Sequence, residues 1–120
     1  MILFKPEMAQ AILEGRKTIT RRRGRRRWNV GAVHQCYTRP AFANPPGKPF
    51  GRVQIVSLFE ESYPGQGASI SEQRDAEWEG FRSWSEFCKA YACINGGHTL
   101  AEPCWRVSFK LVTDAEPALT

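Results

Sequence analysis

Twelve consecutive residues, Arg16 to Arg27, hold eight of the chain's seventeen Lys and Arg residues and no acidic one, in the order Arg-Lys-Thr-Ile-Thr-Arg-Arg-Arg-Gly-Arg-Arg-Arg. Charge at that density resists burial, so the fold is expected to carry the segment along an edge rather than through its core. The segment is internal, follows a helix-like stretch and contains Thr18-Ile19-Thr20, which has strand propensity, so its first arginines are expected to be ordered. Outside it the chain has nine basic and twelve acidic residues, so the net charge of +5 is a local patch. Such a patch points to a polyanionic partner.

With 120 residues the chain is long enough to bury a core without metals or disulfides, and a single domain over 1–112 with a tail over 113–120 is expected. Met1-Ile2-Leu3-Phe4-Lys5-Pro6 breaks too early for a signal peptide, and no run approaches 18 apolar residues. A cytoplasmic protein of a bacterial or phage-infected cell, with no membrane partner and no obligate protein partner, is the resulting expectation. Cys36, Cys88, Cys93 and Cys104 form no dense secreted framework and are expected as free thiols.

Ile2-Leu3-Phe4 reads as a short strand, and Pro6-Glu7 suits the first turn of a helix. Met8, Ala11 and Ile12 give that helix one apolar face, and Gly15 ends it. Asn29-Val30-Gly31 is a turn before a strand over Ala32 to Thr38, and Pro40 to Phe50 is a proline-rich connection. In Gly51 to Glu60 both alternating faces are largely apolar, as in a central strand, and Tyr63 to Gly67 is a loop. Ser69 with Glu72 and Ser83 with Glu86 have capping-box spacing, so two short helices follow, ending near Gly80 and near Asn95-Gly96. Trp84, Phe87, Cys88 and Tyr91 make a core-facing stripe on the second, worth about 1.5–3 kcal/mol per large side chain buried. Cys104 to Val112 alternates as a half-buried strand with Trp105, Val107, Phe109 and Leu111 on one face. The order β-α-β-β-β-α-α-β implies an α+β fold of mainly antiparallel strands in a closed or nearly closed sheet with peripheral helices.

His34 and His98 have no spacing to each other or to a cysteine that would build a zinc site, and Cys88-x4-Cys93 is wider than a knuckle. No metal and no cofactor is expected. No phosphate-binding glycine loop and no local serine-triad motif is present. Guanidinium forks match phosphate oxygens, so Arg16, Arg21, Arg22, Arg23, Arg25, Arg26 and Arg27 are candidate phosphate ligands. Trp84 and Trp105 fit core stripes, whereas Trp28 and Trp78 do not, which makes those two the candidates for stacking on a base.

Ala11-Ile12-Leu13-Glu14-Gly15-Arg16-Lys17-Thr18-Ile19-Thr20 resembles the signature helix, glycine and Lys-Thr-x-Thr segment of the ASCH domain family, whose members have PUA-like β-barrel folds. Val30-Gly31 resembles the following turn, and the closing strand at Trp105 to Phe109 is also similar. Asp75-Ala76-Glu77-Trp78-Glu79-Gly80 resembles the acidic helix of small bacterial members that act as N4-acetylcytidine amidohydrolases. That resemblance implies Thr20 as nucleophile, Lys17 as its base and Glu79 as the group that orients or charges the lysine. A threonine hydroxyl needs such a base, and a lysine serves only where burial or cationic neighbours depress its pKa. On a regular strand Lys17 and Thr20 would point to opposite faces, so a bulge or helical turn is required between them.

The arginine run, the loop at 40–50 and Gly96-Gly97-His98 depart from the minimal amidohydrolases, and the run is similar to phage-type ASCH proteins. Two readings therefore stand. One is an amidohydrolase removing an acyl group from N4-acetylcytidine or a related modified base. The other is a non-catalytic or weakly ribonucleolytic module that binds single-stranded nucleic acid along Arg16 to Arg27, with RNA favoured over DNA because single strands expose base faces.

Overall fold

The computed structural model describes residues 1–62 and 70–112. Strand β1 (Ile2–Leu3) leads into helix α1 (Pro6–Leu13), which has proline in its first turn and ends before Gly15, at φ 79°. That positive φ is a conformation glycine adopts without strain, and it turns the chain out of the helix. Strands β2 (Ile19–Arg22), β3 (Val33–Tyr37) and β4 (Pro49–Glu61) follow, then helices α2 (Ile70–Trp78) and α3 (Trp84–Ile94), and finally β5 (Cys104–Val112). The expected loop at Tyr63 to Gly67, the Ser69 cap and the tail over 113–120 lie outside the described residues.

The five strands form one mixed sheet in the order β1-β3-β4-β5-β2, curled into a half-barrel with three helices. β1 runs parallel to β3, and every other pairing is antiparallel. The central position expected of Gly51 to Glu60 is found, since β4 lies between β3 and β5.

Its alternation is interrupted, however. Ile55 pairs with Phe109 while Ser57 pairs with the adjacent Ser108, leaving Val56 as an extra residue. Val53 and Ile55 are buried, Val56 is exposed, and Leu58 rather than Phe59 packs on the core. One inserted residue exchanges the two faces of a strand, so a strict period of two fails beyond this bulge.

Among the described residues two apolar clusters fill the interior. The larger joins β1, α1 and the inner face of the sheet through Ile2, Phe4, Ile12, Val53, Ile55, Val107 and Phe109. It also contains Trp28, a stacking candidate, which at 8% exposure is packed in the core rather than free on the surface. A single tryptophan in a turn has no periodicity from which its burial can be read. The smaller cluster lies under α2 and α3, where Trp84, Phe87 and Tyr91 pack with Ala76, Leu100 and Cys104. Trp105 is half-buried against the larger cluster, and its Nε1 donates to the Gly24 carbonyl at 3.0 Å. All four cysteines are free. Among the described residues no helix is long and apolar enough to cross a membrane.

Helix α3 begins as its capping box requires, with Ser83 in an extended conformation and its Oγ accepting from the Glu86 amide at 3.1 Å. Ser83→Ala is expected to cost about 1 kcal/mol. Urea unfolding should show a lower midpoint with an unchanged slope.

Candidate active site

The segment after α1 does not continue as a regular strand. Beyond Gly15 the amides of Arg16 and Lys17 both donate to the Ala11 carbonyl, at 2.9 and 3.1 Å, and that of Thr18 donates to the Trp78 carbonyl at 2.7 Å. β2 starts only at Ile19, so Lys17 and Thr20 are separated by a turn and a strand start, and both line one cavity. The same contacts bring the end of α2 against the end of α1. Gly80, at φ 94°, lies where a Cβ would meet Ala11, Met8 and Lys17 at 3.4–3.6 Å.

Glu79 follows directly on α2 and is 2% exposed. Its Oε1 accepts from Lys17 Nζ at 2.9 Å, and its Oε2 accepts from Arg21 Nη1 at 2.8 Å. Lys17 Nζ also donates to the carbonyls of Ile19, at 2.8 Å, and Glu79, at 2.9 Å. Three N–H groups thus meet three acceptors, one of them at a helix C-terminus, where a cation is favoured. Burial pulls the Lys17 pKa below the ordinary lysine value more strongly than Glu79 raises it, and the charges of Arg22 and Arg21 act in the same direction as burial.

Arg21 is 5% exposed, and its guanidinium is enclosed by carboxylates. Nε donates to Glu61 at 2.6 Å, Nη1 to Glu79 and Nη2 to Asp75, and the group sits over the rings of Trp84 and Phe87 at 5.7 and 5.4 Å. Burial opposes its charge, but the carboxylates outweigh burial and hold its pKa above the ordinary arginine value. Arg21 was expected at a phosphate surface. It is a structural cation instead, because its place on β2 turns it toward α2 and α3. Arg106, paired to Arg21 in register, reaches the other oxygen of Asp75 at 3.4 Å.

The remaining basic residues occupy graded positions. Arg16 is exposed and paired with Glu14. Arg22 donates from Nε to Thr20 Oγ1 at 3.3 Å and from Nη2 to the Leu3 carbonyl at 2.7 Å, with its guanidinium 5.0 Å over Phe4. Arg23 is half-buried and reaches Glu102 at 3.3 Å, while its buried Nε has no hydrogen-bond partner. Arg25, Arg26 and Arg27 are exposed, with Arg26 bonded to the Trp28 carbonyl and to Asn29. Trp78 is 39% exposed, on the outer side of α2, with Arg74 at 5.9 Å from its ring.

The cavity, of about 460 Å³, is lined by Lys17, Thr20, Arg21 and Glu79, by Arg22, Arg23 and Arg27, and by Phe4, Trp28, Phe81, Phe87 and Tyr91. Its size falls within the range of small-molecule sites. Asp75, Glu61 and Tyr91 are parts of this region that sequence reasoning missed. Asp75 stands four residues before Glu79, one helical turn away, a spacing that could have marked it.

Removing the Glu79 carboxylate would leave the Lys17 and Arg21 charges partly uncompensated in the interior. Glu79→Ala is expected to destabilise the fold by about 3–5 kcal/mol. Thermal unfolding against the wild type measures it, and a loss below about 1 kcal/mol would mean that the pair is far better solvated than its burial implies.

No protein-family model and no curated protein matches the chain in sequence. Solved structures do match in fold. An ASCH domain from Lactobacillus crispatus JV V101 superposes with a TM-score of 0.58 and 21% identity, over 87% of this chain and 69% of that one. ASCH from Zymomonas mobilis gives 0.56 and 22%, over 91% and 64%. A protein from Enterococcus faecalis V583 gives 0.56 and 16%, over 92% and 78%. The chain thus spans about two thirds of the length of the two ASCH structures. At these identities the likeness is one of architecture: the chain has the small α+β fold of an ASCH domain.

Proposed function

We propose that the cavity beside Lys17 and Thr20 binds a modified nucleoside and that the protein removes an acyl group from the exocyclic amine of its base, with N4-acetylcytidine as the reference substrate. The observation that carries this reading is the convergence of Lys17, Thr20 and Glu79 on one cavity with an aromatic wall. Aromatic faces suit a flat base, and the charged groups lie where an amide could meet them.

In this reaction Thr20 Oγ1 attacks the amide carbonyl carbon, and its proton passes to Lys17 in the neutral form. The Arg22 guanidinium, already within 3.3 Å of Thr20 Oγ1, stabilises the oxyanion. Collapse breaks the C–N bond, and the departing amine takes the proton back from Lys17. Water then attacks the Thr20 ester, releases the carboxylic acid and restores the hydroxyl. Deprotonated, Lys17 keeps two N–H groups and gains the lone pair that takes the Thr20 proton, and burial favours that form. Glu79 orients the amine, held in turn by Arg21.

The release of cytidine from N4-acetylcytidine tests the assignment. Thr20→Ala and Lys17→Ala are each expected to lower kcat/KM by about 10²-fold or more, with Thr20→Ser keeping part of the activity. Full activity in both alanine variants removes these residues from the chemistry. Because the base must be neutral, kcat/KM should rise with pH through the depressed Lys17 pKa and level off below the ordinary lysine value of 10.5.

A second reading, a module for single-stranded RNA, is favoured by the exposure of Arg25, Arg26 and Arg27. If these three meet phosphates, log K should fall with log salt at a slope of about −2, at ~0.7 per phosphate. An RNA affinity that is insensitive to salt would exclude this interface.

A further inference from the structure

The cavity wall carries more positive charge than its own partners neutralise. Among the described residues it carries Lys5, Lys17, Arg21, Arg22, Arg23 and Arg27 against a single acidic residue, Glu79. Lys17 and Arg21 are matched by Glu79, Glu61 and Asp75. Arg23 has one long contact, 3.3 Å to Glu102, and a buried Nε that lacks an acceptor. Arg27 is exposed and lines the cavity, and burial, with a smaller contribution from the Arg27 charge, lowers the Arg22 pKa. Like charges gathered at one rim repel unless an anion sits among them.

A free nucleoside is neutral and leaves that repulsion in place. A phosphate monoester brings up to two negative charges and three acceptor oxygens, which suit forked guanidinium donors. We propose that Arg23 and Arg27 form an anion subsite at the rim, and that the ligand of this cavity is a nucleoside monophosphate rather than a nucleoside. In this arrangement the base lies against the aromatic wall near Thr20, and the phosphate lies at the rim against the guanidinium ends of Arg23 and Arg27. The inference rests on the nucleoside reading of the same cavity and narrows it to a substrate class.

Calorimetric titration of the full chain with cytidine and with cytidine 5′-monophosphate tests the subsite without any chemistry, since neither ligand contains an acyl amide. The monophosphate should bind at least about tenfold more tightly at low ionic strength. Arg27→Ala, at an exposed position, should abolish most of that preference. Lys110→Ala, which removes an equal charge from an exposed strand position away from the cavity, should keep it.

Equal affinities for the two ligands, or equal losses in the two variants, would overturn the subsite. Binding of neither ligand would overturn the nucleoside reading with it. Tight binding confined to a 5′-phosphorylated RNA strand would overturn the mononucleotide in favour of a nucleic-acid end. A phosphate preference without hydrolysis of acylated substrates would remove the Thr20 reaction and leave the subsite standing.

Discussion

Arg21 is the point from which the rest of this molecule is arranged. Its guanidinium is buried, so every N–H direction must find an acceptor, and three carboxylates from two separate stretches of chain supply them: Glu61 at the end of β4, and Asp75 and Glu79 in and just after α2. With Lys17 and Arg106 added, three cations face three carboxylates, and the cluster is electrically balanced. A buried ion cluster of this kind contributes less to stability than its contacts suggest, because desolvation offsets most of the attraction. What it fixes is geometry. Arg21 ties β2 to the end of α2, and Glu79, gripped from both oxygens, holds Lys17 at the cavity wall.

One run of identical side chains therefore serves different ends, and the backbone decides which. Within β2 successive residues point to opposite faces, so Arg21 enters the carboxylates under α3 while Arg22 lies over Phe4 beside Thr20. β2 is an edge strand by hydrogen bonding, yet residues from Ile19 to Arg21 are buried because helices and the β1 segment cover it. Beyond Gly24 the chain leaves the sheet, and Arg25, Arg26 and Arg27 return to solvent. Arg23, half-buried, lies between the two parts.

Helices α1 and α3 were legible because their signals are local. Pro6, Gly15, the Ser83 cap and the stripe of Trp84, Phe87 and Tyr91 each act within a turn or two of chain. The closing strand was legible for the same reason. The bulge at Val56 was not, since an inserted residue shows only against the register of a neighbouring strand. The burial of Trp28 was not legible because the cluster that encloses it is gathered from residues distant in sequence. At the candidate site, Lys17, Thr20 and Glu79 could be named through a resemblance and Asp75 stood in the same quoted segment without a role, whereas Glu61 had no motif to announce it.

The sequence alone determined the density of positive charge, the order of the elements and the placement of a turn at Gly15, because composition, periodicity and glycine conformation are properties of neighbouring residues. Tertiary structure decided which of those charges are neutralised. The acidic partners of Arg21 and Lys17 lie 40 to 62 residues away along the chain and reach them only when α2 closes on α1 and the sheet. Charge can be counted residue by residue, but the free energy of a charge depends on what surrounds it, and the fold alone supplies the surroundings.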